Sequence, residues 1–330
     1  MVNKMGVQFN DSIPKKNISI TDLKNKTVAI DSMNIIYQFL SSIRLRDGAP
    51  LRNSKGEITS PYNGIFYKTI YLLNNEITPI WVFDGKPPEL KLKTREERRK
   101  VKEKASKDYE IAKREENIED MQKYAKRINY LEPNTVDNCK KLLKLMGIPY
   151  IDAPSEGEAQ CAHMIKNGDA YCVVSQDYDA LLYGAPRTVR NITASNKPLE
   201  LMEIEDILKP LDISIDDLID MAILIGTDYN IGGIKGIGPK KALTIIKNKK
   251  MNEYIKDIEN YEEIKNIFKN PKVVDYTKED IKLKSPNIEG LKEFLIEEND
   301  FSPNRILPSI KKLDKLLNEK RSQTSLDSWF

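Results

Sequence analysis

Seven carboxylates stand where apolar runs of this chain stop. Asp31 follows VAI, Asp84 follows IWVF, and Asp177 and Asp179 follow VVSQ two residues apart. Glu156 and Glu158 sit in PSEGEA at a helix start, and Asp228 comes just after an apolar stretch and Gly226. Ligands of a parallel sheet bind beyond the carboxyl ends of its strands, so acids at those ends are candidates for one shared site. Seven carboxylates gathered in one place repel each other, and hard cations make the cluster tolerable. Magnesium takes oxygen ligands and keeps water. Two such ions about 3.5–4 Å apart activate water and stabilise a leaving oxygen during in-line displacement at phosphorus, which is the chemistry of a nuclease.

Each acid also has a plainer reading. Ser155 with Glu158 three residues on matches a capping box, so Glu158 can serve backbone donors alone. Asp31 and Asp177 can cap helices that follow their strands. The DYD at 177–179 also has the outline of the haloacid-dehalogenase phosphatases, although Leu181 stands where that family wants Thr or Val. Placement of all seven acids at run ends favours the shared site.

The elements that must position them follow from the apolar pattern. Short β-branched or aromatic runs at 27–30, 78–83 and 170–174 alternate with helical patterns such as 62–74 and 138–146. Strands buried on both faces and interleaved with helices predict an α/β fold with a mostly parallel central sheet flanked by helices. Tyr62, Phe66, Tyr67 and Tyr71 have helical spacing and are read as core. No internal repeat is found.

Two stretches carry positive charge. Over about 86–130 apolar residues thin out, and residues 91–107 hold nine Lys/Arg against three Glu, which predicts an exposed charged helix or helical arch. Lys91 and Arg98 lie on nearby turns of that helix just after Asp84, within reach of a phosphate at the acidic site. At about 218–250, an apolar helix leads into GGIKGIGPKKA, whose Gly236 and Gly238 have helix-hairpin-helix spacing. There backbone amides approach a phosphate, and Lys235, Lys240 and Lys241 add charge. Tyr37, six residues past Asp31, either stacks on a base or packs in the core.

Composition bounds the rest. A chain of 330 residues with 40% hydrophobic content buries a substantial core. Lys+Arg (53) and Asp+Glu (50) nearly cancel to a formal +3, so the placement of charge carries the information. Three scattered cysteines and one histidine argue against zinc or a disulfide framework and fit a reducing compartment. No apolar run reaches the length of a membrane span and no signal-peptide core is present, so the expectation is a soluble intracellular protein.

Taken together these residues resemble the flap endonuclease family of structure-specific 5′ nucleases, in its archaeal or eukaryotic form. The likeness covers nearly the whole chain through VAIDSM at 28–33, VFDGKPP at 82–88, APSEGEAQ at 153–160, SQDYDALL at 175–182, and GTDYN at 226–230 with the glycine-rich turn. The resemblance implies a single nuclease domain over 1–320, cutting DNA at the base of a 5′ flap, with 5′ exonuclease activity, in Okazaki-fragment maturation and long-patch base excision repair. It implies a site for two Mg²⁺, with Mn²⁺ an alternative, on Asp31, Asp84, Glu156, Glu158, Asp177, Asp179 and Asp228. It also implies an arch over about 86–130 through which the flap passes, with Lys91 and Arg98 steering the phosphate and Tyr37 stacking. Thr59 and Lys68 are implied contacts near a wedge that receives a short 3′ flap, and the Gly236–Gly238 turn holds duplex, aided by a monovalent cation.

Gln323, Leu326, Trp329 and Phe330 match the family's sliding-clamp peptide in a tail over 321–330, the expected partner being a ring of the proliferating cell nuclear antigen type. The protein is expected to be a monomer, in the cytoplasm or nucleoid if archaeal and the nucleus if eukaryotic. Family members begin Met-Gly, whereas here MVNK precedes Met5 and Gly6, so translation starts at Met5 or a short extension lies beside the site. Two rivals stand beside this reading: a non-catalytic clamp-tethered DNA scaffold, and a relative specialised for bubbles or four-way junctions.

Overall fold

The computed structural model describes residues 7, 9, 13–115, 117–125, 131–194 and 197–327; the side chains of Arg98 and of 323–327 lie outside the description, as do Trp329, Phe330 and Met1 to Gly6. Along the chain run β1 (Lys16–Ile18), β2 (Thr27–Asp31), α1 (Ser32–Ser42), α2 (Ser60–Asn74), β3 (Thr78–Phe83), α3 (Lys91–Arg114), α4 (Ile118–Ala125), α5 (Thr135–Leu145), β4 (Tyr150–Asp152) and α6 (Gly157–Lys166). There follow β5 (Cys172–Val174), α7 (Asp179–Leu182), β6 (Arg187–Arg190), β7 (Leu199–Glu203), α8 (Ile204–Leu211), α9 (Ile215–Ile225), α10 (Pro239–Lys247), α11 (Tyr261–Lys269), α12 (Ile288–Lys292) and α13 (Pro303–Asp327). Seven strands form one sheet in the order β1-β7-β6-β5-β2-β3-β4.

Chain contacts divide the molecule into two compact units: residues 1–34, 82–97 and 152–275, and residues 35–81, 98–151 and 276–330. In the first, β2 pairs parallel with β5 and β5 parallel with β6, while β7 pairs antiparallel with both β6 and β1. The sheet is therefore mixed, with its parallel part at the centre. Val28, Ala29, Ile30, Val173 and Val174 are buried, as expected for strands covered on both faces. Helix α6 packs on β2 and β5, and α9 packs against α7, α10 and α11. Between α9 and α11, buried Asp220 accepts from Tyr261 Oη at 2.7 Å and Lys265 Nζ at 2.8 Å, so this helix pair is pinned by a polar network as well as by apolar packing.

The second unit is helical: α2 packs against α5 and α13, and α12 against α5 and α13. Tyr62 and Phe66 are core, and the Tyr62 ring meets Phe294 edge-on at 5.5 Å. The aromatic reading of α2 is corrected at two members, because Tyr67 is only half-buried and Tyr71 is 44% exposed. The Lys68 ammonium lies 4.6 Å from the Tyr71 ring centroid, so this turn of the helix carries a cation–π pair on its outer side.

No described helix is long and apolar enough to cross a membrane. One turn of the second unit depends on glycine. Gly147 follows α5 at φ +72°, its carbonyl accepts from Lys284 N–H at 2.8 Å, and a Cβ there would run into the Lys284 carbonyl. Gly168 has a similar φ of +78° with open space around it. Gly147→Ala is expected to cost about 1–3 kcal/mol more than Gly168→Ala in denaturant unfolding, because both pay the left-handed conformation and only Gly147→Ala meets backbone; equal losses would show that the contact with Lys284 contributes nothing.

Candidate active site

Parallel pairing sets the geometry. Ile30 stands opposite Val174, so the carboxyl ends of β2 and β5 deliver Asp31 and the 175–179 segment to one edge of the sheet. Beside them, Phe83 O accepts from Ala153 N–H at 2.8 Å and Gly85 N–H donates to Ser155 O at 2.7 Å, which lays Asp84 along the start of α6. Asp84 Oδ1 accepts the Gly157 N–H at 2.7 Å, a carboxylate at the positive end of a helix. Asp228 comes from the turn after α9, where Asn230 Oδ1 accepts from Thr227 N–H at 3.0 Å and Asn230 Nδ2 donates to Ile223 O at 2.7 Å.

Two residues that sequence reasoning passed over tie the acids together. Asn34 donates from Nδ2 to Asp177 Oδ2 at 2.8 Å and accepts the Gln176 N–H at 3.1 Å, while its own N–H donates to Asp31 Oδ1 at 3.1 Å. Ser175 Oγ lies 2.8 Å from Glu158 Oε1 and 3.3 Å from Asp31 Oδ2, and accepts the Asp177 N–H at 3.2 Å. One hydroxyl proton thus serves one of two carboxylates at a time. Their signal in the sequence is position alone: Asn34 stands three residues past a strand-end acid and Ser175 immediately before QDYD.

The Lys91 ammonium enters from the first turn of α3, 2.5 Å from Glu156 Oε2 and 3.5 Å from Asp228 Oδ2, with all three side chains largely buried. Burial alone would lower its pKa, but Glu156 and Asp228 outweigh this and hold it well above the usual lysine value. The acids are pushed the other way. Asp31 is raised well above the carboxylate range by burial and then by Asp84 and Asp177, and Glu158 by burial and then by Asp179, Asp31 and Asp177. Asp179, which accepts the Val7 N–H at 3.2 Å, is pushed up to about 8 by burial and then by Asp228 and Asp177.

These couplings link Asp31, Asp84, Glu158, Asp177, Asp179 and Asp228, and Glu156 joins them through Lys91, all inside one compact unit. The capping alternatives resolve unevenly. The N-cap of α6 is Glu156 with no side-chain cap bond, and Glu158 turns to Ser175, so the box on Ser155 does not form. Asp31 does cap α1 through Asn34 while facing the other acids, and the two readings coexist there. A donor set of oxygens alone, crowded enough to favour protonation, fits hard divalent cations better than zinc. Among the described residues no three His, Cys, Asp or Glu side chains converge at coordinating geometry, and magnesium, which keeps several waters, is commonly held by only one or two carboxylates.

In the same unit, α9, the 226–238 turn and α10 form a helical hairpin. Lys235, Lys240 and Lys241 are exposed, Gly238 caps α10 at its N-terminus, and Ile237 is buried beneath the turn. The fold itself does not demand glycine at 238: φ is −106°, and an added Cβ would meet nothing within 4 Å. The remaining sequence candidates lie in the second unit. Tyr37 is half-buried on α1, Thr59 is buried just before α2, and burial lowers the pKa of Lys68. Arg98 is on α3 with its side chain outside the described residues; Gln323 and Leu326 are on α13 in the same position, and Trp329 and Phe330 lie outside altogether.

Comparison with known proteins places this geometry. The XPG N-terminal domain matches residues 5–105 and the XPG I-region residues 147–228. Flap endonuclease 1 of Methanocaldococcus jannaschii is 58% identical over 99% of this chain and 100% of its own length, and that of Pyrococcus horikoshii 46% identical over 99% and 98%. The solved flap endonuclease-1 from Methanococcus jannaschii superposes with a TM-score of 0.81 over 96% of this chain and 100% of that one. The catalytic core of Rad2 in complex with DNA substrate, 23% identical with a TM-score of 0.68 over 95% of this chain and 99% of its own, shares the fold. With that identity carried over its full length, the chain belongs to the flap endonuclease 1 family of XPG-type nucleases.

Proposed function

We propose that the acidic site at the sheet edge hydrolyses a DNA phosphodiester at the base of a 5′ flap with two Mg²⁺ held by Asp31, Asp84, Glu156, Glu158, Asp177, Asp179 and Asp228. Membership of the family makes the protein a nuclease and a DNA-acting hydrolase, and roles in replication and repair follow from it. The observation that carries the metal reading is the mutual electrostatic coupling of buried Asp31 and Asp179 and half-buried Glu158 with their neighbouring acids. Bound divalent cations would supply Lewis acidity and lower the pKa of attacking water. The chain's own part is to fix the carboxylate oxygens through Asn34 and Ser175 and to bring the Lys91 ammonium to the phosphate, where it offsets negative charge as the 3′ oxygen leaves.

The other assignments extend this reading. Arg98 joins Lys91 on α3 at the phosphate, and Tyr37 stacks on a base. Thr59 and Lys68 contact a short 3′ flap, and residues 86–130 form the arch for the 5′ flap. The Gly236–Gly238 turn, with Lys235, Lys240 and Lys241, grips the duplex backbone, supported by the open space in front of Gly238. Gln323, Leu326, Trp329 and Phe330 bind a sliding clamp, and the monomeric protein works on DNA inside the cell.

Three measurements test the proposal. A 5′-labelled flap duplex is cut by the wild type with Mg²⁺ and spared when a chelator is added, and Asp177→Ala lowers the single-turnover rate by about 100-fold or more; a wild type that binds flaps without cutting them would overturn the catalytic reading. Lys240→Gln weakens binding of every duplex sequence alike and shrinks the slope of log K against log salt by about 0.9, whereas a change confined to one sequence would contradict a backbone grip.

The third test is pH. Asp179 holds its proton more tightly folded than unfolded, so its contribution to stability is full below about pH 4 and is lost as pH rises toward about 8. Divalent cations bind the deprotonated acids and restore what repulsion removes. The rise in melting temperature on adding Mg²⁺ is therefore larger at pH 8 than at pH 6, and an equal or reversed rise would contradict binding at this cluster.

A further inference from the structure

A lysine ammonium rides on four flexible methylenes, so the place it reaches depends on the backbone turn it starts from. For Lys91 that turn is the first of α3, a helix whose next residue, Leu92, is 55% exposed. One turn on, Thr94 is only 5% exposed, and its Oγ1 donates to the main-chain carbonyl of Asp228 at 2.5 Å, across 134 residues of sequence. Residues three apart on a helix share a face. Asp228 accordingly meets this turn of α3 twice: its carboxylate faces Lys91 and its carbonyl accepts from Thr94. The carbonyl is itself a firm anchor, since Thr227 and Asn230 lock the turn that carries it.

We propose that Thr94 is a positioning residue that latches the first turn of α3 to the Asp228 carbonyl and so sets where the Lys91 ammonium stands relative to the carboxylates and to a phosphate bound there. The inference rests on the reading of Lys91 given above. It adds that the charged helix is not placed by its charges alone: a neutral hydroxyl fixes its root, and the free rotation of the lysine stem is restricted to what that root allows. A charged partner at 94 would swing toward water or the acids, whereas a short hydroxyl on a β-branched side chain has few rotamers and holds one distance.

The test compares wild type, Thr94→Val, Thr94→Ser, Lys91→Ala and the Lys91→Ala/Thr94→Val double variant on one flap duplex with Mg²⁺, reading the single-turnover rate and the flap Kd separately. Thr94→Val keeps shape and removes the donor; it is expected to lower the rate by about 10- to 100-fold while leaving Kd unchanged. Thr94→Ser restores the rate, and in the Lys91→Ala background Thr94→Val has no further effect, because the latch acts through the lysine. A Thr94→Val rate equal to wild type overturns the proposal. So does a loss that Ser does not rescue, or one that multiplies with the loss from Lys91→Ala, as a general packing defect would. A wild type that does not cut flaps sinks the functional reading instead, so the two failures are told apart.

Discussion

Repulsion among buried carboxylates is the constraint around which the first unit of this protein is arranged. Asp31, Glu158 and Asp179 all bind protons more tightly than free carboxylic acids do, burial leading in each case and neighbouring acids adding to it. Such a cluster opposes folding unless something answers its charge. The chain answers it in three ways: one buried lysine between Glu156 and Asp228, backbone donors at Asn34, Gly157 and Val7, and the side chains of Asn34 and Ser175. These stabilise without cancelling the charge, which leaves the acids able to accept cations.

The supporting architecture follows from where those donors must come from. Adjacent parallel strands put β2 and β5 in register and emerge together at one edge, so Asn34 on α1 can span from the acid that ends one strand to the segment that follows the other. An antiparallel neighbour would emerge at the opposite edge. Strand β7, which runs against β6, sits at the side of the sheet away from the acids of β2, and β1, antiparallel to β7, runs in the same sense as the central strands.

Much of this was legible in the residues because it repeats. Strand cores are continuous apolar runs, and an acid after each run is a visible pattern, so the strands β2, β3 and β5 and the acids that follow them, Asp31, Asp84, Asp177 and Asp179, could be located from order alone. The short strands β1, β4, β6 and β7 were not, since three to five residues without a clear two-residue alternation of burial look like any loop. Asn34, Ser175 and Thr94 were invisible for a different reason: each acts by hydrogen bonds to residues distant in sequence, 17 and 144 positions away for Ser175 and more than 130 for the Asp177 and Asp228 partners of Asn34 and Thr94, and no local spacing encodes such partners. Tyr71 fell on the wrong side because helical spacing alone does not say how wide the buried face is, and Lys68 supplies an outer partner for its ring. The capping box on Ser155 failed because a tertiary donor, Ser175, competes for the same Glu158 oxygen.

A site of this charge poses a difficulty for its own substrate. Phosphate is an anion, and a cluster of acids repels it, so binding energy must come from elsewhere on the surface. The near-neutral balance of 53 basic and 50 acidic residues therefore conceals a division of labour. Exposed Lys235, Lys240 and Lys241 on the helical hairpin lie in the same compact unit as the acids, and their attraction for a DNA backbone falls with salt as counterions compete. On the proposed function, affinity and chemistry are carried by groups of opposite sign, the hairpin holding a duplex without the acids having to. Lys91 is the place where the two meet, a cation built into the acidic site and anchored through the helix turn it begins. On the proposed function, a fixed cation there does for the phosphate what a mobile counterion could not: it remains when bulk water and salt are displaced, and in that drier environment its charge counts for more.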